Sequence, residues 1–521
     1  MIRLLLAALV VMTSCGPSVP ASRAGPSDWR DESIYFLMTD RFRNGDSRND
    51  GDSTPGRPDW WQGGDLRGVI DELQYIKDLG MTAIWITPVT QQTRGGYHGY
   101  WTADFYSVDP HLGDLGTLKE LVTKAHAIGL KVLLDVVINH VGYDHPWLVD
   151  SAHAGWFHDR CAMIFSDQKS VEDCWLAGLP DLNTENPAVR AYLTDWALWL
   201  VRETNVDGFR LDTARHVPKD FLREWVAAIK RERPSFWIVG EVFSSDFRYQ
   251  VDYLTAGLDA ITDFQTQESI RRGLAAREDL TWIGRPPALA ETYLPGREAA
   301  RITFIDNHDL DRFVGPAQNA DAQSRLRQAL VYLFTMPGTP VLYYGTEIAL
   351  PGGGDPDNRR VMAWTGGDET TRDLVRQLAT LRQQSPSLRR GSFAKLLSER
   401  ETLVYVREMG ADTAVVAING QSDAPQTLEL PLADIGAKGV VLYRTLGPHA
   451  SGVVRDDALL MTLGPRGAAV FLLGVAEASP PAWTMILAVA ALALIAIVLG
   501  AIAYRRLRRG PPPAILRSPQ G

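Results

Sequence analysis

Between residues 34 and 344 the chain alternates eight short runs of β-forming residues with amphipathic helical stretches, and few folds accept that order. The runs fall at 34–39, 83–88, 131–139, 207–212, 236–242, 260–264, 301–306 and 340–344, with helical patterns such as 66–79, 115–128, 188–203 and 219–233 between them. Eight strands separated by helices predict a parallel (β/α)8 TIM barrel, an α/β fold. An open doubly wound sheet is the alternative, but no GxGxxG follows any of the strands. The connection after the third strand, 141–185, has room for a small inserted subdomain. Beyond a helical pattern that runs to about 384, alternating stretches at 402–407, 413–419 and 467–473 predict an antiparallel β-sandwich domain. The expected division is a barrel over 29–365 and a C-terminal β domain over 366–475.

Composition narrows the function classes. With 45% hydrophobic and 22% charged residues the chain can bury a large core. Its 62 acidic and 53 basic residues give a net charge of -9, which speaks against nucleic acid as a partner. No protein partner is implied.

The ends carry separate signals. Arg3, the apolar run 4–12 and then Thr13, Ser14 and Cys15 have the parts of an export signal, followed by a linker at 16–28. Cys15 is a candidate for lipidation, although Met12 is uncommon at the first position of such a motif. Residues 483–504 lack any charge and precede Arg505, Arg506, Arg508 and Arg509, which predicts a C-terminal transmembrane helix after a linker at 476–482. By the positive-inside rule the tail 505–521 would be cytoplasmic and the globular part exported and membrane-anchored. In that setting Cys161 and Cys174, thirteen positions apart, can close a disulfide loop.

On a parallel barrel, chemistry belongs at the C-terminal ends of the strands. Asp212 ends the fourth run, Glu241 ends the fifth within Val239-Gly-Glu-Val-Phe243, and Asp309 follows the seventh within Phe304-Ile-Asp-Asn-His-Asp309. A carboxylate closing an apolar strand is expensive to bury unless paired, and Arg210, His140 and His308 are the natural partners. Three carboxylates with an arginine and two histidines fit cleavage of a glycosidic bond, in which one group attacks the anomeric carbon and a second protonates the leaving oxygen.

At these residues the chain resembles the α-amylase family, glycoside hydrolase family 13, over about residues 30–475. The motifs are Asp135-Val-Val-Ile-Asn139-His140, Gly208-Phe-Arg210-Leu-Asp212-Thr-Ala-Arg215-His216, Gly240-Glu241-Val-Phe243, Phe304-Ile-Asp-Asn-His308-Asp309 and Leu179-Pro-Asp181-Leu-Asn183. The resemblance implies a retaining mechanism on α-glucans with Asp212 as nucleophile, Glu241 as acid and then base, and Asp309 as stabiliser of the transition state. Arg210 would orient Asp212, His140 and His308 would bond the sugar, and Tyr100 would stack beneath it. Asp355 and Arg359 would contact a sugar on the non-reducing side, while Arg215, His216 and Phe243 would serve the sugar beyond the cleavage point.

The same resemblance implies structural calcium. One site would use Asn139, Asp181 and the His216 carbonyl, and a second Asn44, Asp46, Asn49, Asp50, Gly63 and Asp65, a composition that a solvated Asn/Asp turn also favours. The family's cyclising members carry an aromatic residue where this chain has Pro180, and there is no room for their extra C-terminal starch-binding domains. Both departures favour hydrolysis of linear α-1,4 chains. Transglycosylation by the same residues is the nearest alternative, and a surface protein that binds glucan without cutting it is a weaker one.

Overall fold

The computed structural model describes residues 28–316, 319–437, 440–447 and 449–475. Its strands in chain order are β1 (Ile34–Leu37), β2 (Ala83–Ile86), the hairpin β3 (Thr90–Gln92) and β4 (Thr102–Val108), β5 (Lys131–Val136), β6 (Gly208–Leu211), β7 (Trp237–Gly240), β8 (Ala260–Thr262), β9 (Arg301–Thr303) and β10 (Thr339–Tyr343). Leaving out the hairpin, the other eight pair in parallel around a closed barrel in the order β1-β10-β9-β8-β7-β6-β5-β2. Each of the eight runs read from the sequence overlaps one of these strands. The strands are buried on both faces, which is why they read as continuous apolar runs instead of alternating ones.

Close approach inside the barrel demands small residues at particular points. A Cβ at Gly208 would stand 2.4 Å from the Trp237 carbonyl oxygen, and one at Gly240 would meet Leu258 at 2.3 Å. The helices close over the barrel with apolar stripes: Phe221, Leu222, Trp225, Val226 and Ile229 of the helix Lys219–Glu232 are all buried. Each Leu, Ile or Phe buried in this way contributes about 1.5–3 kcal/mol.

The register of β5 on β6 sets Asp135 beside Arg210. Between β5 and the helix Pro187–Thr204 lies the inserted segment, built from short 3-10 turns and the helix Gln168–Asp173, and the disulfide Cys161–Cys174 closes part of it.

The C-terminal part holds β11 (Ser392–Glu399), β12 (Thr402–Met409), β13 (Asp412–Asn419), β14 (Gln426–Pro431), β15 (Val440–Leu446), β16 (Ala450–Arg455), β17 (Ala458–Leu463) and β18 (Ala468–Val475). They form an antiparallel sheet in the order β11-β12-β13-β18-β15 and a smaller one in the order β14-β17-β16. Period-two patterning explains the packing. Val404, Val406, Val415 and Ala417 share a core with Leu459, Met461 and Leu463 of the smaller sheet. Their neighbours Leu403, Tyr405, Ala414 and Val416 join the barrel core. Buried Arg382 and Arg407 fasten this junction by donating to main-chain carbonyls, among them Phe334, Gly338 and Leu388 for Arg382 and Thr335 for Arg407.

One sequence expectation is corrected. Among the described residues no helix is long and apolar enough to cross a membrane. The segment 483–504 read as a transmembrane helix lies outside the described residues, as do the signal-like 1–15, Cys15, the linkers' undescribed parts and the tail 505–521. A hydropathy run states what a segment could bury and not what it does. Over the described residues the fold is therefore a barrel with a β domain. The membrane partner, the anchorage and the exported, membrane-side location find no spanning helix among the described residues and are not carried further.

Candidate active site

A cleft of about 490 Å³ opens where β5, β6, β7 and β9 end, and Asp212, Glu241, Asp309, His140 and His308 line it. Its organising group is Arg210, on β6 and fully buried. Nη1 donates to Asp212 Oδ1 at 2.6 Å and to both oxygens of Asp135 at 3.0 and 3.1 Å. Nη2 forms an ion pair with Glu241 Oε1 at 2.6 Å. Asp135 is further held by the Tyr100 hydroxyl at 2.9 Å and the Trp85 indole N–H at 3.1 Å.

Backbone geometry adds a second hold on Glu241. Thr213 adopts a left-handed conformation, with φ of 45°, that is uncommon for a β-branched residue. Its N–H then donates to Glu241 Oε2 at 3.0 Å. Strain of this kind costs on the order of 1–3 kcal/mol and persists only where the surroundings enforce it.

Asp309 stands across the cleft. Its carboxylate lies 3.5 Å from Arg359 Nη2 and 3.3 Å from His308 Nε2. Arg359 also pairs with Asp355 at 3.2 Å and donates to the His308 carbonyl at 2.8 Å and the Tyr97 hydroxyl at 3.3 Å. The Tyr100 ring stacks on His308 with centroids 5.2 Å apart.

Electrostatics follow from burial. Asp135, Asp212, Glu241 and Asp309 face only two buried guanidiniums, Arg210 and Arg359, so full ionisation would leave two uncompensated charges. Burial pushes Asp135, Asp212 and Glu241 up to about 7, with neighbouring carboxylates adding to the rise, and it raises Asp309 as well. The cluster therefore keeps a proton near neutrality. Burial lowers His140 and His216 to about 4, and His308 also moves down, so these rings are neutral. His140 Nε2 and His308 Nδ1 are buried without a protein hydrogen-bond partner, as expected of groups that meet a polar ligand.

The structure brings Tyr100, His140, Arg210, Arg215, His216, Phe243, His308, Asp355 and Arg359 together with the three carboxylates. Sequence reasoning passed over Asp135 as a site residue, although an acid inside Val132-Leu-Leu-Asp-Val136 carries the same signal that singled out Asp212. It also passed over Phe165, which the disulfide loop brings to the cleft.

The residues expected to hold cations offer suitable oxygens. Asp181 is buried and pushed up to about 7 by that burial; its Oδ2 is bonded to His158 Nδ1 at 2.7 Å, and its Oδ1 has no partner. Asn139 is buried next to it, since the two neighbourhoods pair through a bridge between His140 and Asp181. An orphaned carboxylate oxygen at such depth fits a bound cation. In the N-terminal loop Asn49 Oδ1 is likewise buried and unpartnered, beside Asp65, which accepts N–H groups from Asp46 and Gly68. Asn44 bonds to Asp50, and both adjoin Gly63, whereas Asp46 pairs with exposed Arg48. A third group, His158, Asp173 and Glu185, is close enough to share an ion, and Lys169 already bridges its two acids.

A carboxylate cluster organised by one arginine at the C-terminal mouth of a parallel barrel defines a glycosidase-type site. Comparison with known proteins agrees. Residues 36–379 match the family described as alpha amylase, catalytic domain, and the chain belongs to the α-amylase family. It is 36% identical over 464 residues to a beta/alpha-amylase of Paenibacillus polymyxa, covering 85% of this chain but only 38% of that protein's length. A cyclomaltodextrinase of Geobacillus thermopakistaniensis is 32% identical over 466 residues, covering 84% of this chain and 76% of that one. The solved Anoxybacillus α-amylase superposes with a TM-score of 0.80 at 39% identity, over 87% of this chain and 99% of that one.

Proposed function

We propose that the protein is a retaining hydrolase of α-1,4-glucosidic bonds in starch, glycogen or maltooligosaccharides. The observation that carries this reading is that one guanidinium engages both Asp212 and Glu241. Sharing Arg210 keeps the two carboxylates close, which favours the retaining spacing of about 5–5.5 Å over the inverting one of about 6.5–9.5 Å.

In the first step the Asp212 carboxylate bonds to the anomeric carbon as the glycosidic C–O bond breaks, and the proton on Glu241 passes to the leaving oxygen. Water then attacks the same carbon, gives its proton to Glu241 and releases Asp212. Asp309 and the neutral His140 and His308 would bond sugar hydroxyls as the ring distorts, with Tyr100 as the apolar floor. Calcium would be structural, held by Asn139, Asp181 and the His216 carbonyl, and by the Asn49, Asp50 and Asp65 loop; bound there it supplies charge for buried oxygens and takes no part in bond cleavage.

A second reading, glycosyl transfer, is favoured by Phe165 and Phe243, whose rings are exposed at the cleft and could seat a sugar acceptor. Buried Pro180 offers no aromatic ring for a glucan to wrap around, which favours linear products. The test is a product time course from soluble starch and maltoheptaose beside an Asp212→Asn control. Short linear products absent from the control support hydrolysis. Longer or cyclic products would favour transfer, and no product from either glucan would overturn the α-1,4 assignment.

A further inference from the structure

The loop 351–360 brings Asp355 and Arg359 to the wall of the cleft and contains the 3-10 turn Asp357–Arg359. Between those two cleft residues in the chain stands Asn358, which is fully buried and does not line the cleft itself. Its side-chain amide donates twice: Nδ2 lies 2.8 Å from the His308 carbonyl oxygen and 3.0 Å from that of Leu310. One amide therefore clamps the main chain on either side of Asp309. Arg359 Nε adds a third bond, to the His308 carbonyl at 2.8 Å.

The Asp309 carboxylate has little else to fix it. Its side-chain partners are distant, His308 Nε2 at 3.3 Å and Arg359 Nη2 at 3.5 Å, whereas Asp212 and Glu241 each sit 2.6 Å from Arg210. Its own N–H donates to Asn307 Oδ1 at 2.9 Å. A carboxylate so loosely tied points where its main chain points, and that main chain is gripped from the loop. Asn358 is anchored in turn, its carbonyl accepting from Arg312 Nε at 2.9 Å and from the Tyr343 hydroxyl at 3.4 Å. The two carbonyls also fix which way the amide faces, because its oxygen turned toward them would meet two like dipoles. Asn358 Oδ1 is left buried without a protein partner, a cost that the hold on both carbonyls offsets.

We propose that Asn358 is a positioning residue that carries contact with a sugar on the non-reducing, donor side to Asp309, so that a longer donor chain raises turnover and not only binding. The inference rests on the reading of Asp212, Glu241 and Asp309 given above. Asp355 and Arg359, the residues of this loop at the cleft, pair with each other at 3.2 Å and flank Asn358 in the chain. A sugar held there steadies the loop, and the loop steadies the Asp309 main chain through the amide. Binding energy gained away from the reacting carbon then serves to place the group that stabilises the transition state. A misplacement of about 1 Å in such a group costs on the order of 10²-fold in rate.

The experiment uses the full chain with α-glucosyl, α-maltosyl and α-maltotriosyl fluorides, which differ only in how many sugars they place on the donor side. The C1–F bond breaks as the Asp212 carboxylate bonds C1, and fluoride leaves. Water then attacks C1, gives its proton to Glu241 and releases Asp212. Fluoride release gives kcat and KM for each donor. The gain in kcat from the glucosyl to the maltotriosyl donor is a ratio measured on one enzyme preparation, so it does not depend on the fraction folded.

In the unaltered enzyme kcat should rise with each added sugar. Asn358→Leu keeps the branched outline of the side chain and removes both donors; it should shrink that gain by roughly fivefold or more while KM still falls with donor length. In an Asp309→Asn background the same substitution should change the gain by less than about twofold, because the group it acts through is gone. Asn358→Ala, read in the same way, serves if the leucine variant does not fold. No rise in kcat with donor length in the unaltered enzyme, an undiminished gain in the variant, a gain lost through KM alone, or an equal loss in the Asp309→Asn background would each overturn the coupling. No fluoride from any of the donors would overturn the glycosidase reading, and the coupling with it.

Discussion

Arg210 Nη2 lies 2.6 Å from Glu241 Oε1, so the carboxyl proposed to donate a proton is paired with a permanent cation. Taken alone this contact would keep Glu241 ionised. Burial and the charges of Asp309 and Asp135 work against it and carry Glu241 up to about 7. Arg210 also bonds Asp212 and Asp135, so its charge is divided among three acids. Dividing one cation in this way lets the site orient its acid without fixing its protonation state, which is what a group alternating between acid and base requires.

Replacing Asp212 with Asn keeps the hydrogen-bonding outline near Arg210 and removes the nucleophile. Turnover of maltoheptaose should fall by roughly 10⁴-fold or more, the scale seen when a covalent nucleophile is lost. Binding of maltoheptaose measured by calorimetry should persist. Near-normal turnover would show that Asp212 is not the attacking group.

The activity profile should be a bell. The first step needs a protonated Glu241 and an ionised Asp212, and burial raises both to about 7. Raising pH removes the cluster's proton and activity falls; lowering pH protonates the nucleophile and activity falls again. The two limbs belong to the coupled group and not to either residue singly. We expect kcat/KM to peak near neutrality, measured with a chromogenic maltooligosaccharide; a plateau extending unchanged to pH 9 would contradict the proton held by the cluster.

The barrel was legible because its strands are apolar on both faces and its acids stand at their ends. Asp212, Glu241 and Asp309 interrupt apolar runs, and an interruption that costly marks a site. The β domain was read only in part: β12, β13 and β18 are continuous apolar runs buried on both faces, whereas β14, β15 and β16 expose one face and carry a thinner apolar signal. Motif spacing placed Arg215 at the cleft but could not say that its guanidinium would also meet the Phe165 and Phe243 carbonyls. Phe165 carried no sequence signal at all, since an aromatic residue in a loop is informative only when the fold brings it to the cleft.

Chelation should weaken the structure through Asp181. Its Oδ1 is buried without a partner, and an ion there would supply the missing contact. If free calcium stands at roughly 100 times its dissociation constant, removing it costs about 2.7 kcal/mol. The thermal midpoint should drop by several degrees in EGTA, and Asp181→Asn should shrink that drop. An equal drop in the variant would mean that the ion is held elsewhere.

The Cys161–Cys174 disulfide closes a loop of sequence separation 13. A loop of that size is stabilised by about 3 kcal/mol in the chain-entropy account. The segment it closes reaches the barrel through a small set of hydrogen bonds: the Phe165 carbonyl on Arg215, the Val171 carbonyl on His216 Nδ1, and the Gln168 side chain on the Arg215 carbonyl and the Tyr249 and Tyr253 hydroxyls. Reduction should therefore loosen the loop without opening the barrel. Amide exchange in 161–174 is expected to quicken at least tenfold in Cys161→Ser/Cys174→Ser, while β5, β6 and β7 keep their protection. Equal loss of protection in those strands would show that the cross-link holds the whole catalytic domain. Exchange unchanged in the loop would show that its bonds to Arg215, His216 and the two tyrosines suffice to order it.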